Sequence, residues 1–345
     1  MISLSDVATE KELDQWPDLK RIIETKVKPE RDQLGSNPNN VPLKKKWWAY
    51  QAHRPELYSR LKLLKRTLCI SRHTEFVAFV FLPSDLVFSE AAVVFADQTD
   101  NCFSVMSSRV HETWARFLGS SIGLTLRYTA SDCFETFPFP AGFETNAALE
   151  AAGREYYEFR AALMQDLWLG LTEIYNLFHS PDDEALARLE ALYRKRAATP
   201  DWRTAEAVPA DRSPLTLYAT PAAALAAIQR LRTLHAAMDT AVLTAYVWTD
   251  LLPKCTCEFL LDYEDEDSES GAEESSGRKK KKPWRYRWPD EVRDEVLARL
   301  LKLNAERAEE ERIAGQAAAA AAPTKPKNTK RASKPYSDNL DLNLS

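Results

Sequence analysis

The hydrophobic pattern of this chain changes character once, at Phe137-Pro138-Phe139-Pro140. Two prolines at alternate positions fix φ and remove two backbone donors, so neither a helix nor a central strand can pass through. The rings between them need a surface to pack on. The segment therefore reads as a seam, where one compact unit ends before the next begins. Upstream of it, residues 67–73, 75–83 and 86–97 are short β-branched and aromatic runs, which predict three strands, and residues 124–129 predict a fourth. Helical spacing covers residues 10–33, 55–66 and 101–121, the last with Phe103, Met106, Val110, Trp114 and Phe117 on one side.

Downstream of the seam every periodic segment repeats at helical spacing: 146–167, 170–179, 182–196, 222–248 and 290–312. The expected fold class is α+β. A helical lead-in (1–39) precedes a mixed α/β domain (40–140) and a mostly helical domain (146–312). Residues 265–283, an acidic block followed by a Lys run, and the Ala/Pro/Lys tail 313–345 are too polar or too low in complexity to pack, and are expected to be disordered. A stretch around residues 190–230 reads as an insertion whose role the sequence does not reveal.

Composition excludes several classes. No apolar run approaches the roughly 18 residues of a membrane span, and the N-terminus lacks the basic and apolar regions of a signal peptide, so cytoplasm is the expected location. Cys69, Cys102 and Cys133 sit singly in apolar surroundings and read as small core residues. Cys255 and Cys257 make a CxC without a second ligand pair, so no metal site is expected.

Motifs for catalysis are missing as well. Pro17-Asp18 followed by Glu24-Thr25-Lys26 imitates a metal-nuclease signature, but its residues lie on one predicted helix and read as a solvated face. There is no Asn-Pro-Pro-aromatic tetrapeptide to receive a flipped adenine and no Gly-rich turn for a methyl donor. His111, on a predicted helix, reads as structural. No catalytic residue is assigned.

What remains is binding. The net charge is −5, yet residues 41–75 hold nine Lys and Arg against Glu56 and Glu75. A segregated basic patch in an acidic chain is the pattern of a face that meets phosphates. Lys44, Lys45, Lys46 and Arg54 are the candidate phosphate contacts. Trp47 either stacks beside bases or anchors a core flanked by Lys stems. Arg72, Arg109, Arg116 and Arg127, on predicted strands and the central helix, are candidate base readers, since a guanidinium can fork onto guanine O6 and N7.

Taken in order, WPDLKRIIETKVKPERD, KKKWWAYQAHRPELY, SSRVHETWARFLGSS, LRYTASDCFETFPFP, GREYYEFRAALM, GLTEIYNLFHSP, LHAAMDTAVLTAYVW and PWRYRWPDEVRDEVLARLLKLNAERAEEE resemble the C-terminal region of MmeI-like (type IIG/IIL) restriction-modification enzymes and adenine-specific DNA methyltransferases. The likeness covers roughly residues 10–312. It implies that residues 40–140 are a target recognition domain for double-stranded DNA, with Arg127-Tyr128 on its last strand, and that the trailing helices form a scaffold. It implies no cofactor in this chain: S-adenosylmethionine would bind a methyltransferase domain that has no counterpart here, in a separate methyltransferase or nuclease chain. The start at Met1 without catalytic motifs suggests a split gene, a remnant or a specificity subunit, and a protein-interaction scaffold is the alternative from another class. Where the family reads Tyr-Gly-Trp, this chain has Tyr246-Val247-Trp248.

Overall fold

The computed structural model describes residues 4, 6–49, 54–199, 203, 217–261 and 283–321. Most of the stretch 265–283, most of the 190–230 insertion beyond Thr199 and the tail after Ala321 lie outside the described residues.

The fold is α+β. The lead-in, expected as one helix, is broken by its prolines into a 3₁₀ turn at Glu10–Gln15 and the helices α1 (Pro17–Lys26) and α2 (Lys28–Asp32). Each proline sits at a helix start, where its missing N–H is harmless. Helix α3 (Val41–Lys45) follows, and its C-terminal neighbour Trp47 joins Leu4, Val7 and Leu13 in a small satellite core. The Trp48 indole donates to Val7 O at 3.2 Å, and the Lys28 ammonium lies 5.0 Å from the Trp47 ring centroid.

After α4 (Pro55–Leu61) come β1 (Arg66–Ser71), β2 (His73–Thr74), β3 (Val80–Pro83) and β4 (Ala92–Phe95). β1 is the centre of an antiparallel sheet in the order β3-β1-β4, with Leu68 opposite both Phe81 and Phe95. The expected strand 67–73 is split. The Ser71 hydroxyl donates to His73 O at 2.9 Å, the chain bends, and β2 leaves for a second sheet. The expected helix 101–121 is also two elements, α5 (Asp100–Ser107) and α6 (Arg109–Leu118). Ser108 adopts extended backbone between them and caps α6 by accepting from His111 N. The break re-aims the predicted apolar face, so that Phe117 is exposed while Phe103, Met106, Val110 and Trp114 are buried.

The short β5 (Ser120–Ile122), β6 (Thr125–Arg127) and α7 (Ala130–Cys133) lead to the Phe-Pro-Phe-Pro segment. Helices α8 (Ala147–Leu167), α9 (Leu171–Phe178), α10 (Asp182–Ala198) and α11 (Pro221–Ala245) follow, then the hairpin β7 (Glu258–Leu261) and β8 (Trp284–Arg287), and α12 (Asp290–Ala321). Residues 313–321, expected to be disordered, extend α12; their Ala-rich sequence has the highest helix propensity.

The seam joins more than it divides. Phe137 packs into a cluster with Val110, Trp114, Leu149, Val242 and Trp288, and the Tyr246 hydroxyl donates to Pro138 O at 2.9 Å. The larger core is continuous from Leu68 and Phe79 on the strand side to Leu163, Ile228 and Met238 on the helices. α8 lies so close to α5 that a Cβ on Gly153 would come within 2.3 Å of Asp100 O. Arg160 of α8, 1% exposed, reaches between the layers and donates to the Tyr175 hydroxyl (2.9 Å) and to Phe79 O.

Two helices end with a non-glycine residue in left-handed backbone, Trp168 (φ 49°) and Val247 (φ 62°). At the second, Trp248 N–H reaches Leu243 O and Val247 N–H reaches Thr244 O, the paired bonds of a glycine-preferring helix stop. A β-branched residue pays roughly 1–2 kcal/mol for this backbone, only partly offset by glycine's greater entropy loss on folding. Val247 is 80% exposed, so little packing is at stake. Val247→Gly is therefore expected to stabilise the protein by about 1 kcal/mol, read as a rise in the urea midpoint at unchanged slope.

Candidate nucleic-acid interface

The second sheet is small and outward-facing. Its strands run β2-β6-β5, all antiparallel, with His73 opposite Arg127 and Arg127 opposite Ser120. β5 and β6 are joined through Gly123-Leu124. Gly123 takes φ 58°, the left-handed backbone that a two-residue hairpin turn demands at its first position. Alternation then sorts the ribbon. Leu126 and Tyr128 point into the core, while Thr125, Arg127 and the cross-strand partners Ser120 and His73 face out. Arg72, half-buried, is fixed beside them because Tyr128 N–H donates to Arg72 O at 2.8 Å and Arg72 N–H to Ala91 O at 2.7 Å. The structure thus sets Arg72 one residue before the cross-strand partner of Arg127, which is His73, a residue that sequence reasoning missed. Its signal was available: it stands between Arg72 and Thr74 in a run where polarity rises after the bend at Ser71.

Lys44, Lys45 and Arg54 are exposed and Lys46 is half-buried, the lysines at the end of α3 and Arg54 at the start of α4. Three other candidates are corrected by burial. Trp47 is 4% exposed and belongs to the satellite core, so it offers no ring to a base in this conformation. Tyr128 is fully buried; its hydroxyl bonds His111 Nε2 at 2.9 Å and ties the ribbon to α6 from inside. Burial pushes the Tyr128 phenol well above its ordinary range and His111 down to about 3, so both are neutral near pH 7.

Arg109 is the third. It is 5% exposed, its backbone N–H donates to Asp239 Oδ1 (2.8 Å) and its Nη1 lies 2.5 Å from Asp239 Oδ2. Burial works against its charge, and the Asp239 carboxylate together with the weaker pull of Cys257 and Glu112 outweighs it. The same Nη1 sits 2.7 Å from His235 Nδ1. Burial and Arg109 hold His235 neutral, so the network assigns Nδ1 as acceptor and the proton to Nε2.

Arg116 turns to neither the core nor the ribbon's outer face. It bonds Glu112 (2.8 Å) and donates to Glu75 O (2.9 Å) at the mouth of a cleft of about 290 Å³ between α6, β8 and the start of α12. The cleft gathers Arg109, Arg116, Arg285, Arg287 and Arg293, but each is matched to a carboxylate: Asp239, Glu112, Glu75, Asp290 and Asp294 respectively. Matched charge makes this a latch between the two halves of the chain, with no surplus of positive potential. His179 forms part of its wall; its Nδ1 accepts from Tyr286 N–H at 3.0 Å, and burial together with Arg285 keeps it neutral.

Among the described residues no helix is long and apolar enough to cross a membrane. No curated protein matches the chain. A solved structure of the Type IIL restriction-modification enzyme MmeI in complex with DNA is similar, with 17% identity over 70% of this chain and a TM-score of 0.40. The chain covers 25% of that protein's length. Residues 4–141, which hold the satellite core, both small sheets and the Phe-Pro-Phe-Pro seam, match the model of the family described as "MmeI, target recognition domain".

Proposed function

We propose that the chain is a DNA sequence-recognition module of a type II restriction-modification or adenine-methyltransferase system, acting in the cytoplasm on double-stranded DNA. The outward ribbon carries the reading: His73 and Arg127 face each other across two paired strands, with Arg72 one residue before His73, in the segment that matches the target recognition family model. A two-stranded ribbon fits the major groove, where each base pair shows a distinct pattern of donors and acceptors and an Arg fork selects guanine O6 and N7. Lys44, Lys45, Lys46 and Arg54 supply phosphate contacts that orient the module without specifying sequence. Arg109, Arg116, Tyr128 and Trp47 support this surface from behind. Methyl transfer, cleavage and S-adenosylmethionine binding belong to a methyltransferase or nuclease outside this chain.

Titration with mixed-sequence duplex at two salt concentrations tests the reading. Affinity is expected to fall steeply with salt, and changing Lys44, Lys45 and Lys46 together to Ala is expected to reduce the salt slope by up to about 3, near 0.9 per lost contact. Arg127→Ala is expected to lose about 1–3 kcal/mol of discrimination at one base pair and to leave the salt slope nearly unchanged. Salt-independent or absent binding by folded protein would favour a protein-interaction scaffold.

A further inference from the structure

We infer that Arg285, a residue of the helical half, positions the base-reading ribbon through Glu75; this rests on the DNA-recognition reading above. β2 is two residues long and pairs with β6 at His73 and Thr74 alone. So short a pairing fixes neither the pitch of the strand nor the height of its side chains. The backbone just beyond β2 is held much more firmly. The Arg285 guanidinium bonds Glu75 Oε1 at 2.8 Å with 7% of its side chain exposed, and lies 5.0 Å from the centroid of the Phe76 ring. Arg116 donates to Glu75 O at 2.9 Å. Phe76 is stacked on His179 at 5.2 Å and 9°, and His179 in turn accepts from Tyr286 N–H, next to Arg285.

Residues 75 and 76 are therefore clamped by groups from α6, from the residue after α9 and from β8. The clamp lies one residue beyond Thr74 and two beyond His73. Base readout depends on donor positions to within a fraction of an ångström, whereas phosphate attraction tolerates displacement. Arg285 therefore sets discrimination while leaving non-specific affinity alone. It touches no base itself; it is a positioning residue.

The test starts by selecting a preferred site for the wild-type chain from a randomised duplex pool. The ratio of affinities for that site and a scrambled duplex is then measured at fixed salt for wild type, Glu75→Gln, Arg285→Ala, Arg285→Lys and the double variant Glu75→Gln/Arg285→Ala. Glu75→Gln keeps the side-chain shape and the backbone carbonyl that Arg116 uses, so it guards against loss of fold.

Glu75→Gln and Arg285→Ala are each expected to lower the ratio about tenfold, which is about 1.4 kcal/mol. The scrambled-duplex affinity and salt slope should stay within about twofold, Arg285→Lys should keep most of the ratio, and the double variant should be no worse than the worse single one. Amide exchange at His73–Glu75 should quicken in both single variants. An unchanged ratio in folded Glu75→Gln and Arg285→Ala, with wild type still selective, overturns the positioning role alone. Wild-type protein without salt-dependent binding overturns the DNA reading, and the inference with it.

Discussion

Replacing Asp239 with Ala is expected to cost about 3–5 kcal/mol of folding stability. Asp239 is 2% exposed and receives both the backbone N–H and the guanidinium of Arg109, with His235 Nδ1 3.2 Å away. Burial alone would raise the carboxyl, but the Arg109 guanidinium and backbone N–H hold it below the ordinary range, so it is charged at neutral pH. Without it the guanidinium stays buried with its principal counter-charge gone. A loss of that size is a large part of the roughly 5–15 kcal/mol that keeps a domain folded. Removing both charges with Arg109→Met and Asp239→Leu should recover most of it, because an apolar pair of similar volume avoids the desolvation of two ions. Urea midpoints of the three proteins at constant slope check both outcomes. The comparison also separates a structural Arg109 from one that contacts DNA, since the double variant should keep its duplex affinity.

The second large effect is a loss of stability on mild acidification. His111 and His235 are buried and His179 lines the cleft wall, and burial lowers all three, His111 to about 3. The unfolded chain protonates its histidines near pH 6.5. Below that pH the unfolded state therefore binds more protons than the folded state, and stability must fall as pH falls. Well above pH 6.5 neither state is protonated and the penalty vanishes. Each histidine kept neutral costs up to about 1.4 kcal/mol per pH unit once the pH is well below 6.5; His111 contributes most clearly, and His179 and His235 act in the same direction. Urea unfolding at pH 7.5, 6.5 and 5.5 measures the slope. His111→Gln should remove about 1.4 kcal/mol of the loss between pH 7.5 and pH 5.5, whatever that change does to stability at pH 7.5. A flat profile would mean that these imidazoles take up protons in the fold as readily as in the unfolded chain.

Much of this fold is legible in the amino-acid order, for identifiable reasons. Helices α8 to α12 announce themselves because each must bury one face, and burial writes itself as a 3.6 repeat. The Phe-Pro-Phe-Pro segment is legible because proline leaves so few options. The breaks at Ser71 and Ser108 are not, since each depends on one side-chain hydrogen bond that competes with a regular ladder only in this tertiary setting. The exposed cations Lys44, Lys45 and Arg54 could be found by composition. Arg109 could not be told from Arg127 in this way, because the difference is Asp239, 130 positions away. Trp47 carried two readings, and only the placement of Leu4, Val7 and Leu13 decided between them.

The continuous core across Pro140 bears on how such chains can exchange specificity during evolution. Residues 4–141 match one family model, yet their strands share a hydrophobic interior with α8 and α11, and Gly153 lets the backbone of α8 approach the Asp100 carbonyl of α5. A crossover at residue 141 would set one lineage's Phe137 and Phe79 against another's Tyr246 and Arg160, with every mismatch confined to a close-packed interior. Point changes on the outward ribbon meet no such resistance, because Arg127 and His73 face solvent. If the ribbon reads DNA as proposed, single-residue change there is expected to be tolerated, while exchange of the whole segment is penalised at the core.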